Sequence, residues 1–169
     1  KDGVRVFRND GSLSFAEVTV TLLDGIDEPQ CATWGDYDND GDLDVYVTAD
    51  ASNGNRLFRK NSGWSVTDVT TAVTSVERDC RGAEFVDIDN DGDCDLYVAV
   101  FDGMNVLLRN DGGSFVDFSN GPQADPGGSI GTASGDFDSD GPVDLFVANS
   151  TARGRSNSLL RNVDRTSNH

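Results

Sequence analysis

The chain has 169 residues, of which 36% are hydrophobic, with 19 glycines and only 4 prolines. This length suits about one domain, and the hydrophobic content is too high and the proline content too low for a disordered acidic tail. The formal net charge of -17 argues against nucleic acid or an anionic membrane surface as a partner. No stretch approaches the roughly 18 apolar residues that a membrane-spanning helix needs, so the sequence predicts a soluble protein.

The first predicted elements are two short strands near the start of the chain. Apolar and polar residues alternate over residues 3–8 and 15–21, a pattern that is typical of strands. These runs correspond to the outer two strands of the four-stranded units that follow later in the chain. Residues 1–30 are therefore expected to form the outer strands of an incomplete unit.

The next feature is an aspartate-rich segment, residues 36–44, that leads directly into an apolar strand. It has the form Asp-x-Asp-x-Asp-Gly-x-x-Asp. Oxygen ligands at alternate positions of a tight, glycine-turned loop suit a hard divalent cation, with side chains at positions one, three, five and nine and the backbone carbonyl of position seven. The predicted ligands of this first loop are Asp36, Asp38, Asp40, the Asp42 carbonyl and Asp44.

The same aspartate pattern recurs twice, 51 and then a further 49 residues along the chain. The second loop would use Asp87, Asp89, Asp91, the Asp93 carbonyl and Asp95, and the third would use Asp136, Asp138, Asp140, the Pro142 carbonyl and Asp144. Proline keeps its carbonyl, so the third loop remains competent. Magnesium is disfavoured because it demands rigid octahedral geometry. The sequence predicts about one structural Ca²⁺ per loop, three per chain.

The residues around these loops follow a repeated pattern that predicts antiparallel strands. Period-2 patterning and turn residues predict strands over 32–37, 43–48, 56–59 and 65–69, then over 83–88, 94–100, 105–109 and 114–118, and finally over 132–137, 143–148 and 158–161. The continuous apolar run at 96–100 indicates a strand buried on both faces, as in stacked sheets. Four-stranded sheets stacked around an axis are the blades of a β-propeller. The predicted fold is an all-β propeller with blades at 31–80 and 81–130 and incomplete blades at 1–30 and 131–169.

The incomplete blades at both ends leave two interpretations open. Propellers need at least ~4 blades to close, and this chain supplies about three blade-equivalents. Either the chain is part of a longer propeller, or the outer strands of one molecule pair with the last inner strands of another. Unpaired strand edges recruit strands readily, so a head-to-tail homodimer is one expected assembly.

Several other residues keep the same period. An apolar residue followed by arginine recurs at this period, and the arginines are Arg8, Arg59, Arg109 and Arg161. An asparagine follows each of them within two residues, and the asparagines are Asn9, Asn61, Asn110 and Asn162. The arginines are expected to pair with nearby acidic groups or carbonyls, with an anion-binding row as the alternative. Apolar side chains in and before the loops are expected between blades, with a ligand platform as the alternative; they are Trp34, Tyr37, Phe85, Ile88 and Phe137.

Catalysis is not expected from this sequence. The only histidine is His169, the last residue, so no Ser/His/Asp or Cys/His arrangement can be built. The paired carboxylates are spaced as calcium ligands, not as an acid and a base. Among the three cysteines, a bridge between Cys31 and Cys80 is geometrically conceivable, whereas Cys94 is expected to be a free thiol in a buried strand.

The segments GDYDNDGDLDVYV, VDIDNDGDCDLYV and GDFDSDGPVDLFVAN, followed by NRLFRKNSG, NVLLRNDGG and NSLLRN, resemble FG-GAP/VCBS repeats over nearly the whole chain. They are most similar to the branch that includes the ASPIC/UnbV proteins and cartilage acidic protein, and integrin α-subunit propellers carry related loops. The resemblance implies a propeller with Ca²⁺ between the first two strands of each blade. It also implies an extracellular, cell-surface or periplasmic location and a role in adhesion or partner binding. The Phe-Gly/Gly-Ala-Pro pair of the integrin type is absent.

The sequence therefore predicts a calcium-binding module for recognition, adhesion or assembly, with a protein or a glycan as ligand. The alternatives are a structural repeat that completes a ring by oligomerisation and a fragment of a calcium-dependent carbohydrate-active enzyme. An EF-hand or dockerin is disfavoured because the loops lead into strand formers. Ligand contacts are expected in the variable connections at 49–55, 102–104 and 121–128.

Overall fold

The computed structural model describes residues 4–20 and 23–163, which form antiparallel strands and two short 3₁₀ helices. In chain order the strands are β1 (Val6–Gly11), β2 (Ser14–Val18), β3 (Pro29–Gly35), β4 (Asp44–Ala49), β5 (Arg56–Lys60), β6 (Val66–Asp68), β7 (Cys80–Val86), β8 (Asp95–Val100), β9 (Val106–Asn110), β10 (Phe115–Asp117), β11 (Ser129–Gly135), β12 (Asp144–Asn149) and β13 (Ser158–Leu160). The 3₁₀ helices are Leu23–Gly25 and Thr151–Arg153, and neither could cross a membrane. The predicted all-β fold is confirmed.

The strands form four meander sheets, in each of which every strand pairs with the next one along the chain. Blade 1 has the order β3-β4-β5-β6 and blade 2 has the order β7-β8-β9-β10. They are preceded by the N-terminal hairpin, β1-β2, and followed by the C-terminal sheet, β11-β12-β13. The four-stranded antiparallel sheets are blades of the β-propeller type, as predicted.

The first strand of each blade begins earlier than its sequence pattern indicates. β3, β7 and β11 start three residues before the predicted positions, and each carries a register shift after its first residue, as between Pro29 and Cys31. Such a bulge inserts an extra residue and breaks the period-2 pattern that identifies strands. The expected strand ends at residues 3 and 21 lie outside the described residues.

The hydrophobic core lies between neighbouring sheets. All six residues of β4 and of β8 are buried, which confirms the strands expected to be covered on both faces. Tyr46 and Leu57 of blade 1 pack in one cluster with Val98 and other residues of blade 2. Tyr97 of blade 2 shares a second cluster with Val147 of the C-terminal sheet. A third cluster joins blade 1 to the N-terminal hairpin.

The inner strands of blades 1 and 2 approach closely at Gly35. A Cβ atom at Gly35 would lie 2.5 Å from Cγ of Phe85, which is far inside van der Waals contact. Gly135 holds the equivalent position in the C-terminal sheet, and a Cβ atom there would meet nothing within 4 Å. Glycine is therefore required by packing at Gly35 and not at Gly135.

We expect Gly35→Ala to lower the free energy of unfolding by about 1–3 kcal/mol, because overpacking forces the ring and backbone apart. Gly135→Ala is the matched control and should change stability by less than about 0.5 kcal/mol. Urea unfolding of both variants measures the difference. Equal losses in the two variants would show that the contact with Phe85 is not the cause.

The apolar side chains that were expected between blades divide into two groups. Tyr37 is buried in the core, and Phe85 and Ile88 are partly buried against it. Trp34 and Phe137 are 48% and 75% exposed, so the expectation is wrong for them. Phe85 sits over the preceding inner strand, whereas the N-terminal hairpin before Trp34 consists of outer strands only. Among the described residues, no sheet covers the face that carries Phe137.

All three cysteines are free thiols. Cys31 and Cys80 lie in the inner strands of neighbouring blades, as expected, but no bridge joins them. Cys94 is free but only half-buried, because β8 begins one residue later and leaves it in the loop. Its expected place in a buried strand is therefore wrong.

Candidate metal centres

The first aspartate of each loop closes the loop onto itself. In the first loop, the two carboxylate oxygens of Asp36 accept hydrogen bonds from the backbone N–H groups of Asp40 (3.1 Å) and Gly41 (2.9 Å). The same pair of bonds recurs at Asp87 in the second loop and at Asp136 in the third. The three segments therefore share one backbone conformation.

Two positions of each loop have left-handed backbone conformations. The glycine at position six, which the sequence identifies, has φ values of 89°, 96° and 105° in the three loops. Position four, which the sequence analysis missed, has φ values of 57°, 58° and 62° at Asn39, Asn90 and Ser139. Asparagine is enriched in this region because its short side chain tolerates it, and that preference was the available signal.

The aspartate at position nine of each loop is buried. Asp44, Asp95 and Asp144 are 0%, 0% and 2% exposed. The Asp95 carboxylate accepts hydrogen bonds from the backbone N–H groups of Ile88 (2.9 Å) and Asn110 (2.8 Å). Equivalent pairs of bonds reach Asp44 and Asp144. Position nine therefore ties the loop to the end of the third strand in blades 1 and 2 and to Asn162, just after β13, in the C-terminal sheet, a role that the ligand pattern does not reveal.

The loops bring carboxylate oxygens together at the spacing of a single ion. Three groups have one oxygen from each member within 4.8 Å of the others; they are Asp36, Asp38 and Asp40, then Asp87, Asp89 and Asp95, then Asp136, Asp138 and Asp144. Oxygens that share one Ca²⁺ at 2.3–2.6 Å lie no more than about 5 Å apart. Positions one and three converge in every loop, position five joins them in the first, and position nine joins them in the other two. Asp44, Asp91 and Asp140 stand outside these groups.

The side chains at position seven turn away from the loop interior. Asp42 pairs with the Lys60 ammonium, and Asp93 accepts a hydrogen bond from the Asn39 amide at 2.6 Å. The predicted ligand at this position is the backbone carbonyl, which Pro142 also possesses. In the first two loops the backbone N–H at position seven donates to the aspartate at position five, at 2.9 Å in both. Pro142 has no N–H, and Asp140 of the third loop pairs with Arg161 at 2.7 Å.

One buried oxygen tests directly whether a cation fits the first loop. Within the described residues, Oδ1 of Asp38 is buried without a hydrogen-bond partner. Leaving such an acceptor unsatisfied costs about 1–3 kcal/mol. A cation bound between Asp36, Asp38 and Asp40 would satisfy it, and an all-oxygen donor set favours calcium over softer metals. The residues present therefore fit a calcium ion.

The periodic arginines lie beside acidic groups, as expected. Arg8 and Arg109 pair with aspartates of their own hairpins, Asp10 and Asp111. The other two contact position three of a loop: Arg59 approaches Asp38 at 4.0 Å, and Arg161 pairs with Asp138. They offset part of the loops' negative charge. An anion-binding row is not supported, because each guanidinium already has a carboxylate partner.

Calcium is expected to stabilise the fold more at about pH 7 than at about pH 5. Burial raises the pKa of Asp95 to about 6, and burial also raises the pKa of Asp44. The metal-free fold therefore holds a proton on Asp95 below about pH 6 and loses stability as the pH rises through that value. Calcium must displace this proton at low pH but not at neutral pH. Thermal melts with calcium and with EDTA at both pH values measure the effect, and equal calcium increments would contradict it.

Sequence comparison agrees with the repeated geometry. A family model described as the FG-GAP-like repeat matches residues 1–47, 44–98 and 87–147. Together these matches span most of the chain and include all three aspartate loops. No curated protein matches the chain closely enough to serve as a relative.

Proposed function

Because the chain belongs to the FG-GAP-like repeat family, we propose that it is a non-catalytic, calcium-binding β-propeller module whose role is recognition. The convergence of carboxylates in each loop, with the unsatisfied Asp38 oxygen in the first, carries this proposal. We also propose that the chain is most similar to the branch of this family that includes the ASPIC/UnbV proteins and cartilage acidic protein.

In this proposal the ions are structural. Without them each loop crowds carboxylates, and like charges ~4 Å apart repel by about 1 kcal/mol even in water. Loops of this type reach dissociation constants of about 10⁻⁴–10⁻³ M in extracellular modules. Millimolar calcium occurs outside the cell, so we place the protein in an extracellular, cell-surface or periplasmic setting.

The proposed ligand surface lies at the end of the blades that is opposite the calcium loops. The connection at 101–105 leaves β8 at this end, and residue Met104 forms a β-bridge with Pro126. Between these connections is a cleft of about 320 Å³, lined by Phe101, Asp102, Gly103, Met104, Pro126, Gly127, Gly128 and Arg155. An exposed methionine beside an exposed arginine suits a protein or glycan surface.

A screen of the full chain, in calcium, against a glycan array and a panel of extracellular protein domains tests this role. We expect a ligand whose binding is lost in EDTA and in a Met104→Asp variant. Trp64→Asp is the control, because Trp64 is also exposed but lies in the hairpin at the calcium end. A ligand that both substitutions weaken equally, or none in either panel, would contradict recognition at this cleft.

Assembly is the second candidate function, and exposed sheet faces favour it. Phe146 and Leu159 of the C-terminal sheet are exposed, whereas their counterparts in blade 2, Tyr97 and Leu107, are buried beneath that sheet. The N-terminal hairpin also exposes an aromatic residue, Phe7, at the position of the buried Phe58 in blade 1. A second copy of the chain could stack its hairpin on the C-terminal sheet.

Strand exchange in such a dimer meets one obstacle. β13 already pairs with β12 in the third-strand place, with Leu145 opposite Leu160. β1 has the third-strand pattern and would have to displace β13, whereas stacking of faces displaces nothing.

Light scattering in calcium should give a dimer mass that Phe146→Asp reduces to a monomer and Trp64→Asp leaves intact. A monomeric wild-type chain would rule out assembly and leave the recognition role in place.

A further inference from the structure

We infer that neighbouring calcium loops bind their ions with positive coupling, carried by asparagine side chains that join one loop to the next. This inference rests on the proposed calcium binding and deepens it. It concerns two of the periodic asparagines, Asn110 and Asn162, together with Asn39, and none of these three is a predicted ligand.

Asn110 links the first loop to the second. Its side-chain amide donates to the backbone carbonyl of Tyr37, at position two of the first loop, at 2.7 Å. Its backbone N–H donates to the carboxylate of Asp95, at position nine of the second loop, at 2.8 Å. The residue is fully buried. Any rearrangement of one loop therefore moves a hydrogen-bond partner of the other.

Asn162 repeats this link between the second and third loops. Its amide donates to the backbone carbonyl of Ile88 at 2.6 Å, and its backbone N–H donates to Asp144 at 2.8 Å. Ile88 is again position two of one loop, and Asp144 is position nine of the next. Two equivalent links at two successive interfaces indicate a common device and not an isolated contact.

The first two loops have a further direct contact. The amide of Asn39, at position four of the first loop, donates to Asp93 at 2.6 Å. Asp93 is position seven of the second loop, whose backbone carbonyl is a predicted ligand. Asn90 occupies the same left-handed position in the second loop, and its side chain makes no hydrogen bond within the described residues. Asn39 and Asn90 therefore share the left-handed backbone but differ in the inter-loop hydrogen bond.

The coupling follows from the cost of ordering. The first ion fixes the backbone at position two of its loop, which fixes the asparagine and, through it, position nine of the next loop. The second ion then binds a loop that is already partly ordered, so less conformational entropy is lost. By reciprocity, each site strengthens the other by the same factor.

Electrostatics opposes this effect. An ion in one loop cancels negative charge that also attracts the ion in the next, which couples the sites negatively. Salt screens this term, since the Debye length falls from about 8 Å at 0.15 M to about 3 Å at 1 M ionic strength. Hydrogen-bonded coupling does not depend on salt in this way, so the net positive coupling should grow as salt is added.

Calorimetric titration with CaCl₂ in high salt tests the inference. The third loop is first disabled by Asp136→Asn with Asp138→Asn, which leaves two sites. One-site variants add Asp36→Asn with Asp38→Asn, or Asp87→Asn with Asp89→Asn. We expect the product of the two binding constants to exceed the product of the one-site values about 5-fold or more, the lower end of typical couplings.

The carriers are identified by adding Asn39→Gly and Asn110→Ala to the two-site protein and to both one-site variants, so that the surplus is measured within one background, because the Asn110 amide also bonds to the Cys94 carbonyl of the second loop. Glycine keeps the left-handed backbone at position 39, and alanine keeps the N–H that Asp95 accepts. The matched control is Asn90→Gly with Asn61→Ala, because the Asn61 side chain bonds to Thr67 in its own blade. Only the first pair should abolish the surplus. If Asn110→Ala fails to fold, Asn39→Gly against Asn90→Gly carries the test.

Each outcome distinguishes the two levels of the proposal. Equal one-site and two-site constants would overturn the coupling while calcium binding stands. A surplus that survives Asn39→Gly and Asn110→Ala would overturn the assigned carriers. Absence of calcium uptake by the unaltered chain would overturn the proposed function itself.

Discussion

Removal of calcium is expected to lower the melting temperature of this chain by about 10 °C or more. A ligand that binds only the folded state stabilises it by about 2.7 kcal/mol per site at a free concentration of about 100 Kd. Three such sites amount to about 8 kcal/mol, and each kcal/mol corresponds to about 2–4 °C for a domain of this size. Scanning calorimetry in about 10–100 mM calcium, which is about 100 times a dissociation constant of about 10⁻⁴–10⁻³ M, and in excess EDTA measures the shift.

Magnesium provides the control for this experiment. It should restore only a small part of the lost stability, because it retains its waters and requires octahedral geometry that these flexible loops do not impose. A melt that is unchanged in EDTA would mean that the aspartate loops are polar turns that hold no structural ion. Full rescue by magnesium would argue against calcium as the specific ion.

Replacement of Asp95 by alanine is expected to destabilise the calcium-bound chain by about 3–6 kcal/mol. The substitution leaves the buried N–H groups of Ile88 and Asn110 without their acceptor, at about 1–3 kcal/mol each, and it also removes a ligand. Part of the loss should persist in EDTA, since the orphaned N–H groups do not depend on the ion. Urea unfolding with and without calcium measures both parts.

The control for this prediction is Asp111→Ala in the same blade. Asp111 pairs with Arg109 at the surface, and exposed pairs of this kind contribute about 0–1 kcal/mol. Similar losses in the two variants would show that position nine is an ordinary surface carboxylate. A loss that vanishes in EDTA would assign the whole effect to the ion and none to the backbone bonds.

The fold could be predicted from the sequence because its signals are local and repeated. The aspartate pattern, the apolar second strand and the glycine turns each act within about ten residues, and three copies reinforce one another. The starts of β3, β7 and β11 could not be predicted because a bulge there breaks the alternation of apolar and polar residues on which the strand pattern depends. The exposure of Phe137 could not be predicted because it depends on which sheet, if any, packs against the C-terminal sheet.

The residues of the site could be predicted from the sequence, but the hydrogen bonds that join one loop to the next could not. Alternating aspartates identify the loops, and positions one and three converge in all of them. The hydrogen bonds from Asn110 to Tyr37 and from Asn39 to Asp93 join residues that are 73 and 54 positions apart. Only the stacking of one blade on the next brings these pairs together. A sequence pattern can mark such asparagines as periodic without indicating what they join.

The number of calcium ions bound per folded chain tests the central claim most directly. Equilibrium dialysis against calcium up to about 10 mM, which is about ten times the weakest dissociation constant expected for these loops, counts them from the metal content of both compartments. We predict three ions in the unaltered chain and two after Asp36→Asn with Asp38→Asn. A chain that retains no ions while remaining folded would contradict calcium as the element that holds these loops together.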